Sequence, residues 1–257
     1  MKKILTVLYG VGGYALGVGS LVYLIGFVGN IAVPKSIDTG VQTPLIQAVI
    51  INLALIAIFS IQHSIMARPG FKQWWTRMVP PPVERSTYVW IAGLLMSLIM
   101  WQWRPIPGQV WQVGNSLGIT VLMALFWIGW VTAFAATFMI NHFDLFGLRQ
   151  VYLSLREQPY THPEFQTKAF YKLLRHPIML GFLIAFWSAP TMTVSRFVFA
   201  MGFTVMVLIG IYLEERDLAE FIGPEYARYR SEVPMLVPRL PKTKGGFVPG
   251  QNDTRPG

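Results

Sequence analysis

The chain has 257 residues, of which 53% are hydrophobic and only 13% charged, with a formal net charge of +9 and no cysteine. Soluble globular domains carry about 25% charged residues, so an ordinary soluble protein is excluded, and the missing cysteine excludes disulfides, iron–sulfur clusters, thiolate zinc and a cysteine nucleophile. In a soluble domain, a sequence pI near 9.9 would suggest nucleic acid; here the bases lie in loops between apolar runs, membrane topology accounts for them, and no nucleic-acid partner is expected.

Four runs carry no charge: Ile4 to Val33, Thr39 to Ala67, Ser86 to Trp103 and Pro105 to Asn141. A membrane helix needs about 20 apolar residues, so the fold class is an all-α integral membrane protein. Helices are expected near 4–32, 44–66, 87–103, 116–140, 177–190 and 197–213, five to six of them transmembrane, the last two forming a tilted C-terminal hairpin turned at Ala189-Pro190-Thr191. The first run is too long for a secretory signal and lacks a small-residue cleavage site, so it is read as a retained helix. Within it, Gly13 and Gly17 have small-xxx-small spacing, which suits internal packing better than dimerisation. The stretch YGVGGYALG has no strand before it and no acid after it, so it is not a dinucleotide fingerprint.

Between the second and third runs, Phe71, Trp74, Trp75 and Met78 fall at i, i+3, i+4 and i+7, with Lys72 and Arg77 off that stripe. The pattern predicts a short interfacial helix in loop 68–85, ended by Pro80-Pro81-Pro82. It reads as a lipid anchor, with a lid over a site as the functional alternative. Loop bases concentrate on one side: Lys2 and Lys3, then Arg68, Lys72, Arg77 and Arg85, then Arg149, Arg156, Lys168, Lys172 and Arg175. The positive-inside rule makes that side, and both termini, cytoplasmic. Trp101, Trp103 and Trp111 fit an aromatic belt on the far face. Past Glu214 the chain reads as a folded soluble segment to about residue 240, followed by a disordered tail.

Three polar stretches on the cytoplasmic side are candidates for one site: residues 141–153, 175–181 and 212–238. Pro177 suits a helix's first turn, where its missing N–H costs nothing. The free N–H groups there, with Arg175 and His176, could receive an anion; membrane-surface residues are the plainer reading. Glu214 and Glu215 close the last apolar helix in this reading, at an end where acids are disfavoured. They would pair with Arg175 or Arg216, accept hydrogen bonds from ligand hydroxyls or an amine, or simply cap the helix. Tyr226 and Tyr229 would share a helix face. His142 and Asp144 sit two apart, and His63 lies near the cytoplasmic end of the second helix, where an ionisable group is a functional candidate. His142, His162 and His176 have no familiar zinc spacing and there is no HExxH, so no metal is expected.

Taken together, Arg175-His176-Pro177-Ile178-Met179-Leu180-Gly181, then Glu214-Glu215-Arg216-Asp217-Leu218, then Phe221-Ile222-Gly223-Pro224-Glu225-Tyr226 with Tyr229, then Val233-Pro234 to Pro238, resemble a known pattern. It is that of the isoprenylcysteine carboxyl methyltransferase and phospholipid methyltransferase superfamily. Met179 departs from it, standing where the pattern has Tyr. The stretches FSIQHSIMARPGFKQWW, PPPVERSTYV and INHFDLFGLRQVYL further resemble the membrane-bound methanethiol S-methyltransferases and their NnrU-type relatives.

The resemblance implies transfer of a methyl group from S-adenosylmethionine to a small volatile thiol, methanethiol, giving dimethyl sulfide at the cytoplasmic side of a bacterial inner membrane. It implies cofactor binding by Arg175, His176, Pro177, Ile178, Gly181, Glu214, Glu215, Tyr226 and Tyr229. Candidate catalytic residues are His142, Asp144, Arg149 and His63, with His142 or Asp144 as base and a nearby Arg to stabilise the thiolate. The expected division is 1–140 for four transmembrane helices and loop 68–85, 141–240 for the cofactor region, and 241–257 for the tail. Membrane lipids are the other partner. The alternatives are a non-enzymatic membrane partner in denitrification, a lipid or isoprenoid methyltransferase, and a reductase using NADPH.

Overall fold

The computed structural model describes residues 2–161 and 169–238, so His162 and the tail from 239 onward lie outside it. Among the described residues the chain forms α1 (Lys2–Gly29), α2 (Leu45–Met66), α3 (Pro69–Trp75), α4 (Pro81–Gln102), β1 (Gln109–Gln112), α5 (Ser116–Ile140), α6 (His142–Leu145) and α7 (Leu148–Leu155). A 3-10 turn (Ala169–Lys172), α8 (Pro177–Trp187), β2 (Thr191–Thr193), α9 (Val194–Ile222) and α10 (Pro224–Glu232) follow. Four helices, α1, α2, α5 and α9, are long and apolar enough to cross a membrane, and α8 is a shorter apolar helix. The protein is an all-α integral membrane protein. α4 has the same length as α2, 22 residues, but carries Glu84 and Arg85 in its first turns.

Several boundaries differ from the sequence expectation, each for a local reason. α4 begins six residues early, because Pro81 occupies the first helical turn, where proline is pre-organised. α3 itself ends at Trp75, ahead of the prolines, and a turn through Arg77 and Met78 leads to Pro80, which caps α4. α8 ends at Trp187, three residues short of the expected 190, and the chain turns through a bend at Pro190 into the short strand β2 before α9. α9 begins at Val194, capped by the Thr193 hydroxyl accepting from the Arg196 N–H, and continues nine residues past the expected end at 213. Glu214 and Glu215 are thus interior to the helix. α9 stops only at Gly223, whose φ of 72° breaks the helix, with Pro224 opening α10.

The two ends of the bundle are distinct. At one end Lys3 pairs with Glu157, the Arg85 Nε donates to the Leu145 carbonyl and Arg68 pairs with Asp217, so α1, α4, α7 and α9 share their charged ends. At the other end β1 and β2 pair antiparallel, with Trp111 opposite Met192. Asn52, fully buried in α2, exchanges two hydrogen bonds with the Arg104 backbone at 2.8 and 2.9 Å, fixing the end of α4. A buried amide used in this way is a common helix tether in membranes. Trp101 is exposed there, but Trp103 is fully buried against Phe27 and Phe199, so it belongs to the core and not to a lipid-facing belt.

The tightest helix contact lies between α5 and α8. A Cβ added to Gly129 would stand 2.6 Å from the Gly181 carbonyl oxygen, and one added to Gly181 would stand 2.6 Å from the Ala133 nitrogen. The two backbones touch, as small residues permit in a membrane. Gly13 and Gly17 of α1 similarly admit Trp90 and Val89 of α4, so this glycine pair serves internal packing.

A Gly181→Val substitution meets backbone that cannot rotate away. It is expected to destabilise the protein by about 1–3 kcal/mol, read as a lower thermal midpoint in detergent. Gly19→Ala, where an added Cβ meets nothing within 4 Å, should leave the midpoint unchanged.

Candidate active site

A cavity of about 570 Å³ opens between α1, α2, α3, α4, α8 and α9. One stripe of α9 forms its long wall: Phe203, Met206, Gly210, Glu214, Asp217 and Phe221 recur every three or four residues and all line it. From 203 to 221 that stripe runs about 27 Å at 1.5 Å per residue. The lining changes character along this length. Phe59, Met96, Phe182, Phe186 and Phe203 surround the deep part, whereas Arg68, Lys72, Arg85, Glu214 and Asp217 line the part near the charged end of the bundle.

His63 and Tyr88 meet in the wall of this cavity. His63 stacks on Phe59 with ring centroids 5.2 Å apart, and the Tyr88 hydroxyl lies 3.0 Å from its ring nitrogens. Arg85 sits over the Tyr88 ring, 4.6 Å from its centroid, a cation–π contact. Arg68 donates to Asp217 at 2.8 Å. Lys72, outside the membrane-spanning segments, forms no ion pair among the described residues, and burial together with the Arg85 charge lowers its pKa.

Behind α9 lies a second, separate cluster. Successive helix residues point about 100° apart, so Glu214 faces the cavity while Glu215 faces inward. Glu215 receives Arg175 Nε at 2.8 Å and His176 Nε2 at 3.0 Å on one oxygen, and Arg230 Nε at 3.4 Å on the other. The second nitrogen of His176, Nδ1, stands 3.8 Å from Glu214. The same residues hold the C-terminal segment by its backbone: the Arg175 N–H donates to Pro234, the His176 N–H to Met235, and the Arg175 guanidinium to the Arg230 and Val233 carbonyls. Tyr229 donates to the Tyr171 carbonyl at 2.7 Å, and burial raises its pKa to about 12. Tyr226 is fully buried, its ring 5.9 Å from that of Tyr229.

Of the residues anticipated from sequence, His63, Ile178 and Glu214 line the cavity, as does Met179. Arg175, His176, Glu215, Tyr226 and Tyr229 form the buried cluster behind it. Pro177 opens α8, and Gly181 is spent on the α5 crossing. His142, Asp144 and Arg149 do not reach the cavity. His142 is buried, stacked on Phe138 at 4.1 Å, with Thr137 Oγ1 2.8 Å from Nδ1 and Tyr14 OH 3.0 Å from Nε2. Asp144 is paired with Arg149 at 3.0 Å and accepts from Tyr160 at 3.3 Å. These three brace the 141–161 segment, which supports the cavity wall through Arg85. Among the described residues no group of three His, Cys, Asp or Glu side chains is arranged to hold a metal ion.

Sequence reasoning passed over Arg68, Lys72, Arg85, Tyr88 and Asp217. The three cations were credited to membrane topology. Asp217 follows Glu214 by three residues, which places both on one helix face once α9 is known to continue.

No protein-family model matches the sequence, and no solved structure does either. Among curated proteins, the chain is 50% identical to a methanethiol S-methyltransferase of Mycobacterium tuberculosis over 238 residues, 93% of this chain and 98% of that one. It is 47% identical to a methanethiol S-methyltransferase of Crocosphaera subtropica over 242 residues, 94% of this chain and 95% of the other. It is also 30% identical to Nurim of Bos taurus over 190 residues, 70% of each chain.

Two outcomes follow from the geometry. Glu215→Gln leaves the buried Arg175 guanidinium without its counter-charge, and is expected to cost about 3 kcal/mol of stability, measured by thermal unfolding. Burial lowers the His142 pKa below its ordinary 6.5. Above pH 6.5 the ring is neutral both folded and unfolded. As pH falls below that value the unfolded chain takes up the proton first, so stability drops until the folded pKa is reached. Melting curves from about pH 7.5 to about pH 5 should show this loss, and His142→Asn should reduce it.

Proposed function

The chain belongs to the methanethiol S-methyltransferases, and on that premise we propose that its cavity is where a methyl group passes from S-adenosylmethionine to methanethiol, giving dimethyl sulfide. The protein is a membrane methyltransferase and methylates methanethiol. The observation that carries this is the 50% identity to a protein of that activity across 93% of the chain.

The residues present fit such a methyl donor. At about 570 Å³ the cavity falls within the usual size range for small-molecule sites. Its charged end offers both signs, two carboxylates and three cations, as a zwitterionic amino acid with hydroxyl groups requires. Glu214 and Asp217 would accept hydrogen bonds from an ammonium or ribose hydroxyls, and Lys72 would meet a carboxylate. Ile178 and Met179 would pack against the apolar parts. When bound, S-adenosylmethionine supplies an electrophilic methyl group on a positively charged sulfur. Arg175, His176, Glu215, Tyr226 and Tyr229 act from behind, by holding Glu214 and the C-terminal segment in place. Pro177 and Gly181 set the start and the depth of α8.

The acceptor thiol must lose its proton, because the thiolate is the nucleophile. We assign His63 as the group that takes it, at one ring nitrogen, with the Tyr88 hydroxyl holding the ring. Arg85 and Arg68, lining the same cavity, favour the developing thiolate. The apolar walls exclude water, and the enclosure keeps both reactants in line. His142, Asp144 and Arg149 take a bracing role in this scheme.

The charged end of the bundle carries Arg68, Arg77, Arg85, Arg149, Arg156 and Arg175, which supports a cytoplasmic location for it in a bacterial inner membrane. The proposed division at 140/141 then has a chemical meaning. The first part supplies the thiol-activating pair and the cations, and the second supplies the carboxylates.

Purified protein given methyl-labelled S-adenosylmethionine and methanethiol should release labelled dimethyl sulfide; absence of both product and donor binding would overturn the reading. His63→Gln should lower kcat by about 10²–10⁴-fold while donor affinity stays near wild type. An unchanged kcat would remove His63 from the role of base.

A further inference from the structure

The cavity is deeper than methanethiol requires. That thiol has a single carbon, yet the stripe of α9 that lines the cavity continues from Glu214 to Phe203, eleven residues or about 16 Å further from the charged end. Along this distance every contributing side chain is apolar: Met206 and Val207 on α9, Phe182 and Phe186 on α8, Phe59 on α2 and Met96 on α4. The charged and hydroxyl-bearing parts of a methyl donor belong at the other end, with Glu214, Asp217, Arg68 and Lys72. His63 and Tyr88 lie between the two regions, so a thiol whose sulfur sits at His63 points its carbon chain into the apolar part.

We propose that the enzyme also methylates longer alkanethiols, whose chains occupy this apolar chamber, and that Gly210 keeps the passage to it open. The inference rests on the methanethiol methyltransferase reading. The chemistry is the same for each acceptor: the S–H proton goes to His63, the acceptor sulfur forms a bond to the transferred methyl as the methyl's bond to the donor sulfur breaks, and that electron pair stays on the donor. The product is an alkyl methyl sulfide. Gly210 faces the cavity from α9, and a Cβ added there meets nothing within 4 Å. A larger side chain at this position would therefore extend into the cavity without striking a neighbouring helix. Met96 and Met206 add polarizable sulfur to a wall otherwise aromatic and aliphatic, a surface that adapts to chains of different length.

The test is a series of straight-chain thiols, from methanethiol to hexanethiol, assayed in detergent with the full-length protein. Each added methylene that becomes buried should raise kcat/KM by about fourfold, until the chamber is full. In the donor-free protein, the same thiols should raise the thermal midpoint in the same order. In Gly210→Leu the preference for longer chains should flatten in both measurements. A wild-type series that falls from ethanethiol onward while methanethiol is turned over would overturn the proposal, as would a thermal series with no dependence on chain length. So would an identical chain-length profile in Gly210→Leu and wild type. If methanethiol itself were not methylated, the underlying functional reading would fail instead, and the donor-free thermal series would still report whether the chamber takes alkyl chains.

Discussion

The buried carboxylate of Glu215 is the constraint on which the rest of the site depends. Two side chains of the segment entering α8, Arg175 and His176, and one from α10, Arg230, converge on its two oxygens. A carboxylate with so little exposure to water is tolerable only when surrounded by donors. Once α8, α9 and α10 are tied at this point, the adjacent Glu214 has one direction left, into the cavity. Arg175 and His176 also hold Pro234 and Met235 through their backbone N–H groups, so the same point anchors the chain beyond α10. In space, most of the motif's polar side chains fasten the C-terminal segment behind the cavity wall.

The cavity combines two environments that a thiol methylation needs. The charged end gives hydrogen-bonding groups of both signs at the membrane surface, and the deep end excludes water. His63 and Tyr88 sit where the two meet, on α2 and α4, while the carboxylates come from α9. In the proposed scheme the chemistry is thus assembled across the halves of the chain. The Gly129–Gly181 crossing contributes by drawing α8 against α5, and α8 carries Ile178, Met179, Phe182 and Phe186 into the lining.

Much of the fold is legible in the sequence because lipid imposes a simple rule: long uncharged runs must be helices. The four charge-free runs become α1, α2, α4 and α5. The errors fall where another rule competes. Pro80-Pro81-Pro82 reads as the stop of one helix, but α3 has already ended at Trp75 and the prolines instead start α4. α9 runs on past Glu214 and Glu215 because one carboxylate is neutralised by partners about 15 to 40 residues distant, which local pattern does not reveal. Trp103 reads as a belt residue by position but is claimed by the core. At the site, the motif residues 175–181 and 214–229 were recognisable as a group. Their division into a cavity-facing set and a fastening set depends on helix phase, which the shortened α9 concealed. The cavity cations were hidden by a sufficient simpler explanation, the positive-inside rule.

In the proposed site, the wall around the acceptor has sulfur of its own only as thioether, in Met96 and Met206. With no cysteine anywhere in the chain, a disulfide of the substrate finds no partner for exchange, so the protein cannot be trapped as a mixed disulfide by the compound it handles. Its exposure to oxidants takes a different form. Conversion of a lining methionine to its sulfoxide would place a polar group within the apolar chamber. The damage would fall on acceptor binding, would leave the Glu215 fastening intact, and would be reversible by reduction.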